Sequence, residues 1–427
     1  MSRRRSGKTA LVLAGGGLTG GVYEIGALRA IDDLLVDRTV NDFDIYVGTS
    51  AGALVASFLA NGVSPEEMLQ VINGEMPGIL SFERHHLFHI NPSDYLNWSL
   101  RLPKRLLSAW TEYLFNFNEM TLFDLVWSLT ETLPAGMYDG LGLEKFIRHA
   151  LVTLERSNEF SELQRELYII ATDLDNGERV VFGQGAYRNI PISMAIAASS
   201  ALPILYKPVQ IGQQEFIDGG LRGTASLDVA IERGATLVVC INPLVPLEKT
   251  DTPKLDAADK SSGEHLSNRG IQSITNQSLR IFSHSGLQYH IKQLRRTHPE
   301  VDIILIEPDH EDYQMFFYNI MRYSARLIVA QHGFESATLD LAMDYKHYKQ
   351  VLARHGIPLS RRLVIQELSE IADSNYDPQV IRKVLKAKSA GCGQQRQNTP
   401  VCILNRALAE LEMTLDQIAS ETQFPYS

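Results

Sequence analysis

Cysteine is scarce in this chain, with three in 427 residues, and so few cannot form the disulfide framework that holds small secreted domains together. Cys240 sits in an apolar run and reads as a small buried hydrophobe, whereas Cys392 and Cys402 flank a glutamine-rich stretch and read as reduced thiols. No run of 18 uninterrupted apolar residues occurs, so the pattern of a membrane-spanning helix is excluded. Positive charge is in deficit. Lys and Arg number 40 against 50 Asp and Glu, a net charge of −10, and without a basic stripe this argues against nucleic acid as a partner. The apolar run that follows Arg3-Arg4-Arg5 ends at Ala14, too short for the core of a signal peptide. These absences lead to the expectation of a cytoplasmic protein, with peripheral membrane contact left open, whose length permits a large core and a smaller appended unit.

What the chain does contain is concentrated at Gly48-Thr49-Ser50-Ala51-Gly52. A strand-like run over 43–47 leads into this stretch, and a helix-like run over 51–60 leaves it. A serine on so sharp a strand-to-helix turn, with a glycine two residues to either side where a Cβ would clash, has the pattern of a nucleophile elbow. The turn projects the serine Oγ away from the sheet and leaves the first N–H groups of the helix facing any oxyanion that forms. The spacing therefore points to a serine hydrolase with Ser50 as its nucleophile.

Upstream, residues 8–14 form an apolar β-like run that ends in Gly15-Gly16-Gly17-Leu18-Thr19-Gly20, followed by Val22, Ile25, Leu28, Ile31 and Leu35 at helical spacing. If the strands at 8–14 and 43–47 are neighbours in a parallel sheet, both glycine-rich loops emerge at the same edge, where open α/β sheets place their ligands. Gly15, Gly17 and Gly20 also spell the G-x-G-x-x-G dinucleotide fingerprint, which expects an acid at the end of the second strand. Asp42 and Asp44 stand at its beginning instead, so the loop reads better as an oxyanion hole than as a nucleotide cradle, and no cofactor is expected.

A late acidic element, Asp218-Gly219-Gly220, is only a turn when taken alone. It follows Ala197-Ala198-Ser199-Ser200-Ala201-Leu202-Pro203, a small-residue block that lets backbones approach closely. The glycine loop, the elbow, this block and the Asp-Gly-Gly triplet, in that order, resemble the patatin-like phospholipases over about residues 8–245. The resemblance implies an α/β fold of three layers around a central, mostly parallel sheet. It also implies hydrolysis of a lipid acyl ester, phospholipase A-like or lysophospholipase-like, by a Ser-Asp dyad. Carried onto this sequence, Ser50 is the nucleophile and Asp218 the general base, Gly15, Gly16 and Gly17 supply oxyanion N–H groups, and Gly20, Gly48, Gly52, Gly219 and Gly220 shape the turns. Two departures stand out. Thr19 occupies a position where many family members carry Lys or Arg, and where an Asn and Pro usually follow the triplet, Leu221-Arg222-Gly223-Thr224 stands here. Two alternatives to the dyad enzyme are a Ser-His-Asp α/β-hydrolase using one of His284, His290, His298, His310 or His332, and a lipid-binding scaffold without catalysis.

Residues 79–138 hold all three tryptophans, Trp98, Trp110 and Trp127, with Arg84, Arg101, Lys104 and Arg105 among Leu, Phe and Tyr. Two readings stay open: a helical lid packing its aromatics on the core, and an interfacial segment in peripheral contact with membrane. His85, His86 and His89 lack an acidic partner at ligand spacing, so no metal is expected. Residues 167–173 and 179–182 read as a hairpin turned at Asn176-Gly177, 249–269 as a polar loop, and 302–306 as a core strand. From about 335 the pattern is helical, interrupted at 388–400 by Gly, Gln and Asn. The chain thus divides into a catalytic domain over 1–334, with 79–138 as a lid or insert, and a helical C-terminal extension over 335–427.

Overall fold

A computed structural model describes residues 7–73, 75, 107, 111, 135–248, 265–309 and 326–386. The tryptophan-bearing part of 79–138, with its basic residues and His85, His86 and His89, lies outside the described residues, as do His310, Cys392, Cys402 and the stretch 388–400.

The chain opens with β1 (Lys8–Leu13), α1 (Gly17–Leu34), β2 (Ile45–Thr49), α2 (Ala51–Ala60) and α3 (Pro65–Asn73). It continues through β3 (Gly136–Tyr138), α4 (Leu141–Thr153), β4 (Glu166–Asp173), β5 (Arg179–Phe182), α5 (Ile192–Ser199), β6 (Ile204–Tyr206), β7 (Val209–Ile211), β8 (Gln214–Asp218), α6 (Leu227–Glu232) and β9 (Ala235–Ile241). Then come α7 (Ile271–Thr297), β10 (Asp302–Ile306), α8 (Arg326–Met343), α9 (Tyr345–Arg354), α10 (Arg362–Asp373) and α11 (Pro378–Lys386). The strand, elbow and helix read from residues 8–60 are all present. The first helix starts at Gly17, ahead of the apolar pattern at Val22, because the glycine loop itself turns into it.

Eight strands form one sheet in the order β10-β9-β1-β2-β4-β8-β7, with β5 added on β4. From β10 to β4 all neighbours are parallel, so the fold is α/β with a mostly parallel sheet. β3 and β6 make a separate parallel pair. In β1, Leu11 and Leu13 face a core shared with α1, α2 and α5, while Ala10 and Val12 face a second core shared with α6 and with Leu287, Ile291 and Leu294 of α7. Alternate side chains go to opposite faces of a strand, and here both faces are covered, which is why these strands read as unbroken apolar runs. The result is three layers. Among the described residues no helix is long and apolar enough to cross a membrane.

Two features of the sheet place the site. β1 and β2 pair with Leu13 opposite Gly48, so the glycine loop and the elbow leave the sheet side by side. β4 pairs with β5 through Ile169 to Thr172, with β2 through Glu166 to Ile170, and with β8 through Ala171 to Asp173. A strand has only two edges, so β2 and β8 share one: β4 runs on past the elbow, and β8 arrives antiparallel to fill the vacated edge. Thr49 lies opposite Ile170 and Asp218 opposite Ala171, which brings the end of β8 against the end of β2.

α8 packs across α1 at backbone distance. A Cβ added to Gly26 would stand 1.9 Å from the Ala330 carbonyl oxygen, and one on Gly333 would stand 2.1 Å from that of Tyr23. The position near 335 where the sequence pattern turns helical falls inside α8. Arg29 of α1, fully buried, pairs with Asp33, approaches Glu66 of α3 at 3.4 Å and Glu367 of α10 at 3.3 Å, and donates to the Val384 carbonyl of α11 at 3.5 Å.

Candidate active site

Ser50 has φ +56° and ψ −126°, a region that a residue with a Cβ visits at a cost of about 1–3 kcal/mol. The neighbours that hold it there are the elbow glycines. A Cβ on Gly48 would stand 2.5 Å from the Cα of Ala53, and one on Gly52 would stand 2.5 Å from the Leu13 carbonyl oxygen. Ser50 occupies the N-cap position of α2, yet its hydroxyl does not cap the helix. It acts instead on the carboxyl of Asp218, whose pKa it lowers.

Asp218 ends β8 and is 5% exposed. Burial pushes its pKa up to about 6, against the opposing effect of the Ser50 side chain and the hydrogen bond from the Gly220 N–H, 2.8 Å from Oδ1. Its own N–H donates to the Ala201 carbonyl at 3.0 Å, and Thr172 Oγ1 donates to its carbonyl at 3.2 Å. Gly219 lies against β4, where a Cβ would stand 2.3 Å from the Ile170 carbonyl oxygen. The Asp218 backbone is thus held from both sides, and its carboxyl has the pKa that suits a base working near neutrality.

The small-residue block before Asp218 does more than permit close approach. Ser199 Oγ accepts from the Ser50 N–H at 2.8 Å and donates to the Ile170 carbonyl at 2.5 Å. One buried hydroxyl therefore ties the elbow to β4. Paired serines in an otherwise apolar block were the available sequence sign of this clamp, which sequence reasoning missed.

Gly15, Gly16 and Gly17 take φ values of +79°, +141° and +65°, a run that only glycine sustains. They do not act alike. The Gly15 N–H donates to Glu24 Oε1 of α1 at 3.1 Å, so it is turned inward, whereas Gly16 and Gly17 line the cavity at Ser50. Glu24 is fully buried, and burial pushes its pKa up to about 8 despite bonds from the loop N–H groups. Its place in an apolar helical pattern gave no sign of this contact. Gly20 stays within α1, its N–H bonded to the Gly16 carbonyl at 3.1 Å. The N-termini of α1 and α2 both open at this point, and helix N-termini favour negative charge.

Ser50 and Asp218 lie in a cavity of about 200 Å³. Its walls include Leu18, Leu54, Ile196, Leu202 and Leu205, with Arg280 and Ser283 of α7. A second space of about 50 Å³, wholly apolar, adjoins it through the shared residues Leu18, Ala51 and Leu54 and runs between α1, α2 and α3 to Phe58, Met68 and Val71. Among the described residues no histidine lines the cavity at Ser50. His284 engages Glu307 at 3.3 Å, His290 stands 3.8 Å from Asp228, and His298 pairs with Glu300 at 3.2 Å. No described group of three or more His, Cys, Asp or Glu side chains is arranged to hold a metal ion.

The chain is similar to several known proteins. The uncharacterized protein YqhO of Bacillus subtilis (strain 168) is 26% identical over 225 residues, 49% of this chain and 62% of that protein. The probable lipid hydrolase 463L of Invertebrate iridescent virus 6 is 22% identical over 222 residues, 52% of this chain and 63% of that protein. The aligned part thus spans less than two thirds of the length of these curated relatives. Among solved structures, VipD from Legionella pneumophila superposes with a TM-score of 0.34 at 15% identity, over 98% of this chain and 88% of that one. Residues 11–231, about half the chain, match the family described as patatin-like phospholipase, and the glycine loop, Ser50, Ser199 and Asp218 all fall within that span. The chain belongs to the patatin-like phospholipase family.

Proposed function

We propose that this protein hydrolyses an acyl ester of a lipid, with Ser50 as nucleophile and Asp218 as its general base. The observation that carries the reading is that Ser50 and the buried Asp218 line one largely apolar cavity, close enough for the Ser50 side chain to lower the pKa of the Asp218 carboxyl. Ser50 Oγ attacks the ester carbonyl carbon while its proton passes to Asp218. The oxyanion so formed is stabilised by the N–H groups of Gly16 and Gly17 and by the start of α2 at Ala51, donors fixed in place before the reaction. Asp218 then returns the proton to the departing alkoxide, leaving an acyl group on Ser50. Water enters, Asp218 takes its proton, the acyl–Ser50 bond breaks, and the proton returns to Ser50.

The adjoining apolar space supports a lipid acyl chain as the group transferred, since it extends from the wall beside Ser50 and offers no polar partner. The tryptophans and cations of 79–138 support contact with a lipid surface during turnover. The test is covalent labelling. A fluorophosphonate is expected to modify Ser50 alone, as read by peptide mass spectrometry, and Ser50→Ala to abolish ester hydrolysis with an unchanged melting temperature. An adduct on another serine, or residual wild-type turnover in Ser50→Ala, would falsify the assignment.

A further inference from the structure

Glu24 stands about two turns into α1, between residues that the core buries, and it is itself fully buried. A carboxyl in such a place is costly, because it leaves water, and here Oε2 has no hydrogen-bond partner among the described residues. An apolar side chain of similar size would avoid that cost. What the carboxyl does reach is the glycine loop: Oε1 accepts from the Gly15 N–H at 3.1 Å. Burial pushes its pKa up to about 8 against the opposing effect of the Gly15 and Ala14 N–H groups, so it is mostly uncharged at neutral pH. An uncharged acid accepts from the loop without setting a negative charge behind the place where an oxyanion forms.

Gly15 lies directly against the elbow. A Cβ on it would stand 3.0 Å from the Cβ of Ser50 and 2.4 Å from the Thr49 carbonyl oxygen. Its φ of +79° begins the run that carries Gly16 and Gly17 to the cavity wall at Ser50. The loop is tied through its backbone on either side of Gly15, where the Ala14 N–H donates to the Ile241 carbonyl and the Gly16 carbonyl accepts from the Gly20 N–H, both at 3.1 Å. The N–H of Gly15 between them is tied by the Glu24 side chain. Peptide planes are rigid and joined in series, so fixing one N–H sets the direction of the next.

We propose that Glu24 is a positioning residue for ester hydrolysis at Ser50: its carboxyl holds the Gly15 N–H inward and thereby aims the N–H groups of Gly16 and Gly17 at the oxyanion. This rests on the hydrolytic reading of Ser50 and Asp218, and adds to it a residue that acts through the loop and not on the substrate.

Hydrolysis of p-nitrophenyl butyrate, and the rate at which a fluorophosphonate modifies Ser50, are measured on the full chain. Glu24→Met, which fills the same space without an acceptor, is expected to lower kcat per folded chain roughly 10- to 100-fold, less than the outright loss of an oxyanion donor. KM is expected to change by about threefold at most, the split of an interaction made in the transition state. Glu24→Gln keeps an uncharged carbonyl acceptor and is expected to recover most of the loss. The rate of fluorophosphonate modification is expected to follow kcat across the series, since the phosphonyl oxygen takes the oxyanion's place. Should Glu24→Met not fold, Glu24→Asp serves: it retracts the carboxyl by about 1.5 Å and is expected to lower kcat in the same way. A lowered Tm with kcat and labelling rate per folded chain unchanged makes Glu24 a structural residue and overturns the proposal, as does a Glu24→Gln chain no more active than Glu24→Met. Either result leaves the Ser50–Asp218 reading standing. A wild-type chain that neither turns over the ester nor takes the label at Ser50 overturns that reading itself, and the role of Glu24 with it.

Discussion

A carboxyl that must accept a proton from a serine is useful only if it is basic enough, and Asp218 acquires that basicity from burial. Its pKa of about 6 sets a pH dependence. The base form accumulates as pH rises through 6, so kcat/KM on a soluble ester is expected to rise about tenfold per unit below that value and level off above it. The same shift acts on stability with a definite sign. In the unfolded chain the group titrates near 3.8, so the raised folded value favours folding fully below about pH 4, and this advantage is lost as pH rises past 6. Asp218→Asn cannot ionise. It is expected to relieve about 2–3 kcal/mol of unfavourable burial at pH 8, raising Tm there and leaving Tm at pH 4 little changed, while turnover falls by a factor of roughly thousands. A lower Tm at pH 8, or a flat pH profile between 5 and 7, contradicts the assignment. The proposed pair of Ser50 and Asp218 can be picked out in the sequence because glycines mark both turns. Ser199 and Glu24 cannot, because each acts on a residue away from it in the chain, 149 positions off for Ser199 and 9 for Glu24, and neither stands in a turn of its own.

At the scale of elements, legibility follows continuity. β1, the elbow, α2 and the hairpin of β4 and β5 are each specified by a short run of residues, and each is found where the sequence puts it. The way β8 takes over the edge of β4 vacated by β2 is not encoded in any one run, since it depends on pairings between strands more than 40 residues apart. α7 escapes notice for another reason. Over 27 residues it buries only Arg280, Leu287, Ile291 and Leu294, too thin an apolar stripe for helical periodicity to stand out. The apolar space between α1, α2 and α3 likewise exists only once those helices meet, and it makes its own prediction. Val55 of α2 lines it and is 2% exposed. Val55→Phe fills that space, at an overpacking cost of about 1–3 kcal/mol, and is expected to depress kcat/KM for a long-chain acyl ester at least about tenfold relative to a butyryl ester, a loss matching a few buried methylenes. Equal losses on both chain lengths would show that the space does not hold the acyl chain.

Across the whole molecule, the helices after β10 bear on the same core as the glycine loop and the elbow. α1 carries the glycine loop at its start, presses on α8 along Gly26 and Gly333, and sends Arg29 into a buried set of carboxylates from α1, α3 and α10. Burial pushes the Glu367 carboxyl upward even against the neighbouring guanidinium, as expected where desolvation is heavy and one cation serves several acids. Removing that cation leaves the acids buried without it, the situation in which a broken buried pair costs about 3–5 kcal/mol. Arg29→Met is therefore expected to lower Tm sharply, and because α1 also sets the glycine loop, to reduce ester hydrolysis in proportion to the fraction unfolded. Adding Glu367→Gln to Arg29→Met is expected to recover part of the lost stability by removing one of the stranded charges. Chemical denaturation of the wild type, the single variant and the double variant reads all three values. If Arg29→Met melts like the wild type, or if the second substitution adds its own loss, the helices after β10 are held to the catalytic core by packing along α1 and α8 alone.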